Sequence, residues 1–441
     1  MTMRRALVAV CLVMLFSSVT VLAQEGTPSA PWWNKNWNRR AAIVLASPGA
    51  AIAGVPVIIY GHALQELAGG EAFSTGSLRV IAPQGEVPCQ YDECDGTGVL
   101  VTASNHELDA DDELCFQADL PAQGQVVYWL YWNTTPIPPG KYEVTARVHD
   151  PVEPTAFLGD VQFHNRACLI GMKGPGTGED PTKNDAANHG NGAVTFVDFF
   201  HHGIIRGGWG SYFPQGGLFA GPGTEIKKWQ LPRQIAWGPV RCGASVVMPE
   251  GNLPLGQDQT ARVKVEHRTW LYDRGAWVMF EEIFTPLEPI ARLGRSFNVG
   301  FALDPAGTYK NWSSIEGEPF FAQPTAEEIA EAAETNKIIW GGNTDDWLSQ
   351  YRPADRLLLS AVINQGQPLP GETRQGTSYG RTNLNLRNSL VFTNLAANQP
   401  IYRRFWYTAM QGEFSDGAVA NAIPLALSPR GTAMGPVEKA R

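Results

Sequence analysis

The stretch ARVKVEHRTWLYDRGAWVMFEEIFTP, residues 261–286, decides how the chain should be read. Apolar and polar residues alternate with period two on both sides of Asp273-Arg274-Gly275-Ala276, the signature of a long antiparallel hairpin. With Arg274-Gly275 at the tip, Tyr272 pairs with Trp277, Trp270 with Met279, Arg268 with Glu281 and His267 with Glu282. Val265, Thr269 and Leu271 then share one face with Phe284, Phe280 and Val278, while the aromatic and Arg-Glu pairs occupy the other. A slip of one residue would set Arg268 against Phe280 and Glu266 against Glu282, so the first register is preferred. Two roles fit the polar face. It forms ordinary cross-strand pairs at the edge of a core, or Arg268, Trp270, Tyr272, Trp277 and Glu281 line a sugar-binding groove.

Working outward, the same period recurs in RAAIVLA, VPVIIY, SLRVIA, ELCFQA, QVVYWLYW and YEVTARV, separated by Gly, Pro, Asn and Asp. No alternation of strands with helices accompanies it, so the expected class is all-β with antiparallel sheets and under about a tenth of residues helical. TAEEIAEAAETNK is the one helix signal, opened by a capping box of Thr325 and Glu328 behind Pro324. The proline-rich NTTPIPPGK at 133–141 is the natural boundary. The expectation is an N-terminal β-sandwich over 32–140, a larger two-sheet supersandwich over 141–428 carrying the helix as a short insertion, and a frayed tail over 429–441.

The chain begins with Arg4 and Arg5, an uncharged apolar run from Ala6 to Val21, and Val21-Leu22-Ala23 before Gln24. Residues 1–23 therefore read as a secretory signal peptide and 24–31 as a linker, which implies a secreted or periplasmic product. Losing the two arginines takes the formal net charge from −9 to −11, a poor balance for nucleic acid. No later stretch reaches the ~18 apolar residues of a membrane span. Of the five later cysteines, Cys89 with Cys94 and Cys168 with Cys242 are candidate disulfides, and Cys115 reads as a small buried hydrophobe. Oligomeric state is not encoded in any recognisable pattern.

WWNKNWNRRAAIVL places Trp33, Trp37 and Arg40 ahead of a strand, and SLRVIAPQGEVPCQYDE, DDELCFQADLPAQGQVVYWLYWN and a proline-rich exit follow. Residues 32–135 thereby resemble the N-terminal β-sandwich domain of undefined function found in exported bacterial carbohydrate-associated proteins. That resemblance implies an accessory module and carries no catalytic residues. GPVRCGASVVM, the long hairpin and RSFNVGFALDP resemble, in pattern, the mutarotase-like supersandwich of sugar epimerases and of polysaccharide-lyase central domains.

AVTFVDFFHHGII is strand-like, so His201 and His202 are expected on opposite faces rather than as paired metal ligands, and no metal is assigned. Calcium, in the polar loop of Asp185, Asn188, His189 and Asn191, has no supporting spacing, so no cofactor is expected. The glycine-rich run that follows presents Arg206, Trp209 and Tyr212, with Glu225, Lys228 and Trp229 beyond. Together with the lyase-like pattern, these residues favour β-elimination of a polysaccharide. That reaction needs a cation beside the carboxylate and a base such as His or Tyr; His202, Tyr212 and Arg206 are the candidate catalytic residues, with Trp209, Lys228, Arg268, Trp270, Tyr272 and Glu281 binding the polysaccharide or oligosaccharide. Hydrolysis by two of Glu225, Glu281 and Glu282 is the alternative, and non-catalytic glycan binding a third reading. In each case the expected cleft is the loop from Arg206 to Trp229 closing over the hairpin from Val263 to Phe284.

Overall fold

A computed structural model describes residues 31–94, 107–149, 161–172, 194–200, 208–212, 218–220, 230, 233–256, 259–302, 310–315, 318–323, 325–335, 338–342, 344–363, 372–379, 383–414, 416–427 and 432–440. Met1–Lys35 is one unit, of which only 31–35 are described, and Asn36–Arg441 is the other. The signal peptide and linker therefore lie outside the described residues. The chain is all-β, built from antiparallel sheets.

The first elements are β1 (Arg39–Ala46), β2 (Ile52–Tyr60), α1 (Gly61–Ala68), β3 (Arg79–Ala82), β4 (Gly85–Val87), β5 (Cys89–Asp92), β6 (Glu113–Leu120) and β7 (Gln125–Trp132). They form two sheets. In one, β1-β7-β3-β4 run side by side; in the other, β2-β6-β5. Phe116 of β6 meets Tyr128 of β7 with ring centroids 5.4 Å apart, which fixes one face of β6 against the first sheet. Trp37 is buried and donates its indole N–H to the Ser77 carbonyl at 2.6 Å, and Arg79 lies over its ring. It is a core staple.

Beyond the boundary come β8 (Arg147–His149), β9 (Val161–His164), β10 (Cys168–Met172), β11 (Val194–Phe199), β12 (Gly208–Tyr212), β13 (Leu218–Ala220), β14 (Arg233–Trp237), β15 (Arg241–Gly256), β16 (Gln259–Tyr272), β17 (Ala276–Pro286) and β18 (Ile290–Ala302). They are followed by β19 (Lys310–Ile315), β20 (Glu318–Ala322), α2 (Ala326–Thr335), β21 (Ile338–Gly342), β22 (Thr344–Arg352), β23 (Leu357–Ile363), β24 (Glu372–Tyr379), β25 (Asn383–Leu395) and β26 (Ile401–Gln411). The last elements are α3 (Ala418–Leu427), β27 (Thr432–Met434) and β28 (Glu438–Lys439). A nine-stranded sheet, β14-β15-β16-β17-β26-β23-β22-β19-β20, is the central layer. A six-stranded sheet, β13-β12-β18-β25-β24-β21, and the four-stranded β11-β10-β9-β8 supply the layer beneath it.

The hairpin β16–β17 has the register expected from its sequence: His267 opposite Glu282, Arg268 opposite Glu281, Trp270 opposite Met279. Gly275, at φ 76°, supplies the left-handed position of the turn. Val263, Val265, Leu271, Val278, Phe280 and Phe284 point down into a core shared with Ile290 and Leu293 of β18 and with Phe392 and Leu395 of β25. Trp270, Tyr272, Trp277 and Met279 point up into a second core, shared with the N-terminal sandwich and with Ala420, Ala422 and Ile423 of α3. The upper face of the central sheet is thus covered by the β2-β6-β5 sheet at one end and by α3 at the other.

Three expectations need correction. Within the tail, residues 432–440 are not frayed: β27 and β28 pair with β1, and Glu438 accepts from the buried Arg40 guanidinium at 2.7 and 2.9 Å. A polar tail is held in place because Arg40 needs a carboxylate. α2 carries the expected reciprocal Thr325–Glu328 cap, but α1 and α3 are additional. The five described cysteines are free thiols, with Cys94, Cys115, Cys168 and Cys242 buried. Burial pushes the Cys89 thiol up to about 11.

Candidate functional site

β6 alternates Glu113, Cys115, Gln117, Asp119 with Leu114, Phe116, Ala118, Leu120. Because the apolar set faces the first sandwich sheet, the polar set is turned toward the central sheet. What it meets there is a row of guanidinium groups. Arg241, fully buried at the start of β15, donates to Asp92 at 2.7 and 2.9 Å and to Glu113 at 2.5 Å, and its guanidinium lies 4.3 Å from the centre of the Trp270 ring. Gln90 accepts from the backbone N–H groups of Val240 and Arg241, and its amide donates to Asp92.

One strand pair over, Arg404 of β26 continues the row. Its Nε donates to Glu281 Oε1 at 2.9 Å, Nη2 lies 2.8 Å from the same oxygen and 3.6 Å from Glu113, and Nη1 donates to the Tyr60 hydroxyl at 2.8 Å. Nη2 also donates to the Tyr402 hydroxyl at 3.0 Å, and that hydroxyl donates to Glu281 Oε1. The other oxygen of Glu281 accepts from the Trp270 indole at 2.8 Å. Arg268, 4.0 Å from Glu281, donates to Glu266 at 2.8 Å, and Ser245 completes Glu266.

Burial alone would raise the Glu281 carboxyl, but Arg404 and Arg268 outweigh it and hold the group below the usual carboxylate range. Tyr402 moves the other way: desolvation beside the packed row and the Glu281 charge, opposed by Arg404, push the phenol well up. The row is closed at depth and open at its edge. Tyr60 and Tyr402 are 38% and 40% exposed, and both of their hydrogen bonds to Arg404 lie at the surface. The His62 ring, exposed in the first turn of α1, stacks on Tyr60 at 5.8 Å and 12°.

Arg268, Trp270, Tyr272 and Glu281 are thus brought together, but between layers, at 3%, 3%, 0% and 2% exposure. The N-terminal sandwich fills the place where an open groove was expected. β12, carrying Trp209 and Tyr212, pairs with β18 in the sheet below, on the side the aromatic face turns away from. The structure therefore does not bring that strand over this face. His202, Arg206, Glu225, Lys228 and the side chains of Trp209 and Tyr212 lie outside the described residues, as does the polar loop of Asp185 to Asn191. β11 ends at Phe199 and Phe200 has φ 55°; His201 and His202 also lie outside the described residues. His267 and Glu282 form a buried pair at 2.9 Å on the lower face. Among the described residues no group of three metal-ligating side chains occurs.

Sequence reading missed Asp92, Glu113, Arg241, Arg404, Tyr60 and Tyr402. The signal that could have found Arg404 and Tyr402 is the opposition of YRRFW at 402–406 to Glu281-Glu282.

No family model matches the sequence, and no curated protein matches it. Among solved structures, the chain is similar to an alpha-mannosidase from Enterococcus faecalis V583, at 10% identity over 91% of this chain and 46% of that one, TM-score 0.47. It is also similar to a glycosyl hydrolase family 38 protein from Enterococcus faecalis, at 9% identity over 91% and 47% of the two chains, TM-score 0.48. A galactose mutarotase related enzyme from Lactobacillus acidophilus aligns at 8% identity over 57% of this chain and 97% of its own, TM-score 0.31. The chain spans about half the length of the two Enterococcus proteins.

Proposed function

We propose that this is an exported, carbohydrate-directed protein that holds sugar at the rim formed by Tyr60, His62, Tyr402 and Arg404. One observation carries the reading: two half-exposed tyrosines direct their hydroxyls at a single guanidinium that is itself pinned on a buried carboxylate. Tyrosine rings offer flat apolar area for the C–H faces of a pyranose, and their hydroxyls fix its orientation. The contacts are pre-organised, because the Arg404–Glu281 base is rigid and little ordering is left to the moment of binding.

The same geometry argues for binding without turnover at the rim. Glu281 is held ionised and so supplies no general acid, and Tyr402 is held protonated and so supplies no base near neutral pH. Elimination, the reaction favoured from sequence, draws on His202, Arg206 and Tyr212 with Trp209 and Lys228, none of which is among the rim residues named here. Export rests on Arg4, Arg5 and the apolar run to Val21.

The test is incubation of the purified mature protein with a polysaccharide panel, following retention, ultraviolet absorbance of unsaturated product, and reducing ends. Retention alone is expected, reduced in an Arg404→Met variant. Unsaturated ends would establish elimination, and reducing ends alone hydrolysis; either would overturn the binding-only reading. Mass spectrometry of the exported protein is expected to give Gln24 as its first residue.

A further inference from the structure

Resting on the sugar-binding reading above, we infer that the rim takes a neutral pyranose through a vicinal diol and discriminates against uronic-acid polymers. Hydrogen-bond valence points to a diol. The Tyr402 oxygen gives its proton to Glu281 and accepts one N–H from Arg404, which among the described residues leaves one acceptor site. The Tyr60 oxygen accepts from the other terminal nitrogen of the same guanidinium, and among the described residues its own proton has no acceptor. The rim therefore presents one acceptor and one donor, spaced by the width of a guanidinium fork. Two adjacent sugar hydroxyls, one donating and one accepting, match that pattern. The His62 ring, stacked on Tyr60, braces that tyrosine beside it.

Charge points the same way. Among the described residues, four carboxylates of the row, Asp92, Glu113, Glu266 and Glu281, face three guanidinium groups, those of Arg241, Arg268 and Arg404. Arg404, at the rim, already lies within 3.6 Å of two of these carboxylates. A uronate arriving at the tyrosines would add a second anion beside Glu281 and would have to compete with it for Arg404. Like charges brought together across an interface cost several kcal/mol and are a usual way of rejecting a wrong partner.

The experiment is titration of the full mature chain with four soluble polymers: a (1→4)-linked glucan, the same glucan after periodate cleavage of its diols, a (1→3)-linked glucan whose internal residues lack a vicinal diol, and polygalacturonate. The intact (1→4)-glucan is expected to bind, and each of the other three at least about tenfold more weakly. Tyr60→Phe and Tyr402→Phe are each expected to weaken binding about threefold to tenfold, the worth of one hydrogen bond. The half-exposed Tyr60 variant should keep the wild-type melting temperature, which separates lost contact from lost fold. Polygalacturonate, or either diol-free glucan, binding as tightly as the intact glucan with the same tyrosine dependence would overturn the diol inference while leaving the sugar reading intact. Binding of none of the four, or unchanged binding in both tyrosine variants, would remove the sugar reading and the inference with it.

Discussion

The two faces of one hairpin, β16–β17, are built on different principles. Downward, Val263, Val265, Leu271, Val278, Phe280 and Phe284 are almost fully buried against other hydrocarbon, and any well-filled arrangement would serve. Upward, the tip end carries Trp270, Tyr272 and Trp277 and the base carries Glu266, Arg268 and Glu281, whose partners are individual atoms on the same and on other strands. Hydrophobic burial is non-directional, whereas buried ion pairs contribute little net stability and lose much when displaced. The lower face holds the domain together; the upper face fixes where the sandwich sits. That division explains why the row runs from β5 and β6 across β15 and β16 to β26, and why the turn at Arg274 is also gripped, by Gln117 and Asp119.

The lower face is where a single substitution costs most. Phe280→Ala removes a wholly buried ring and is expected to cost about 3–5 kcal/mol by denaturant unfolding. Arg241→Ala is expected to cost about 3 kcal/mol, because Asp92 and Glu113 are left buried and unpaired. The triple replacement Arg241→Met, Asp92→Leu, Glu113→Leu should recover most of that loss, and a triple variant no better than the single one would show the row to be a true source of stability. Acid sharpens the contrast further. Glu281 titrates lower in the folded chain than its ordinary 4.5, so its contribution is complete above that value and is lost as pH falls through the depressed one. Melting temperature should drop more steeply below pH 4.5 in the wild type than in Glu281→Gln. At the small end, Arg274→Ala removes an ion pair with both side chains 43% exposed and should change stability by under about 1 kcal/mol.

The lower face was legible in the sequence because its information is local. Alternation and the Arg274-Gly275 tip set the hairpin register, and Thr325 with Glu328 announced α2 in four residues. The row was not legible, because its members are far apart: Arg241 and Asp92 are separated by 149 residues. Alternation in β6 says that one face is polar but not whether that face meets water or another sheet. α3 lacks an amphipathic pattern and contains Pro424, since it is wedged between layers and apolar on several sides. The aromatic face of the hairpin could be read either as a groove or as a contact, and only burial decides between them.

β27 and β28 tie β1 to a segment far along the chain, and Arg40 and its partner Glu438 are 398 residues apart. Without that segment β1 would present an unpaired edge and the buried Arg40 would lack the Glu438 carboxylate. The sandwich therefore cannot be closed by its own stretch of sequence alone. Its edge is sealed from the far side of the large sheets, so loss of residues 432–440 would reopen the sheet that β1 begins.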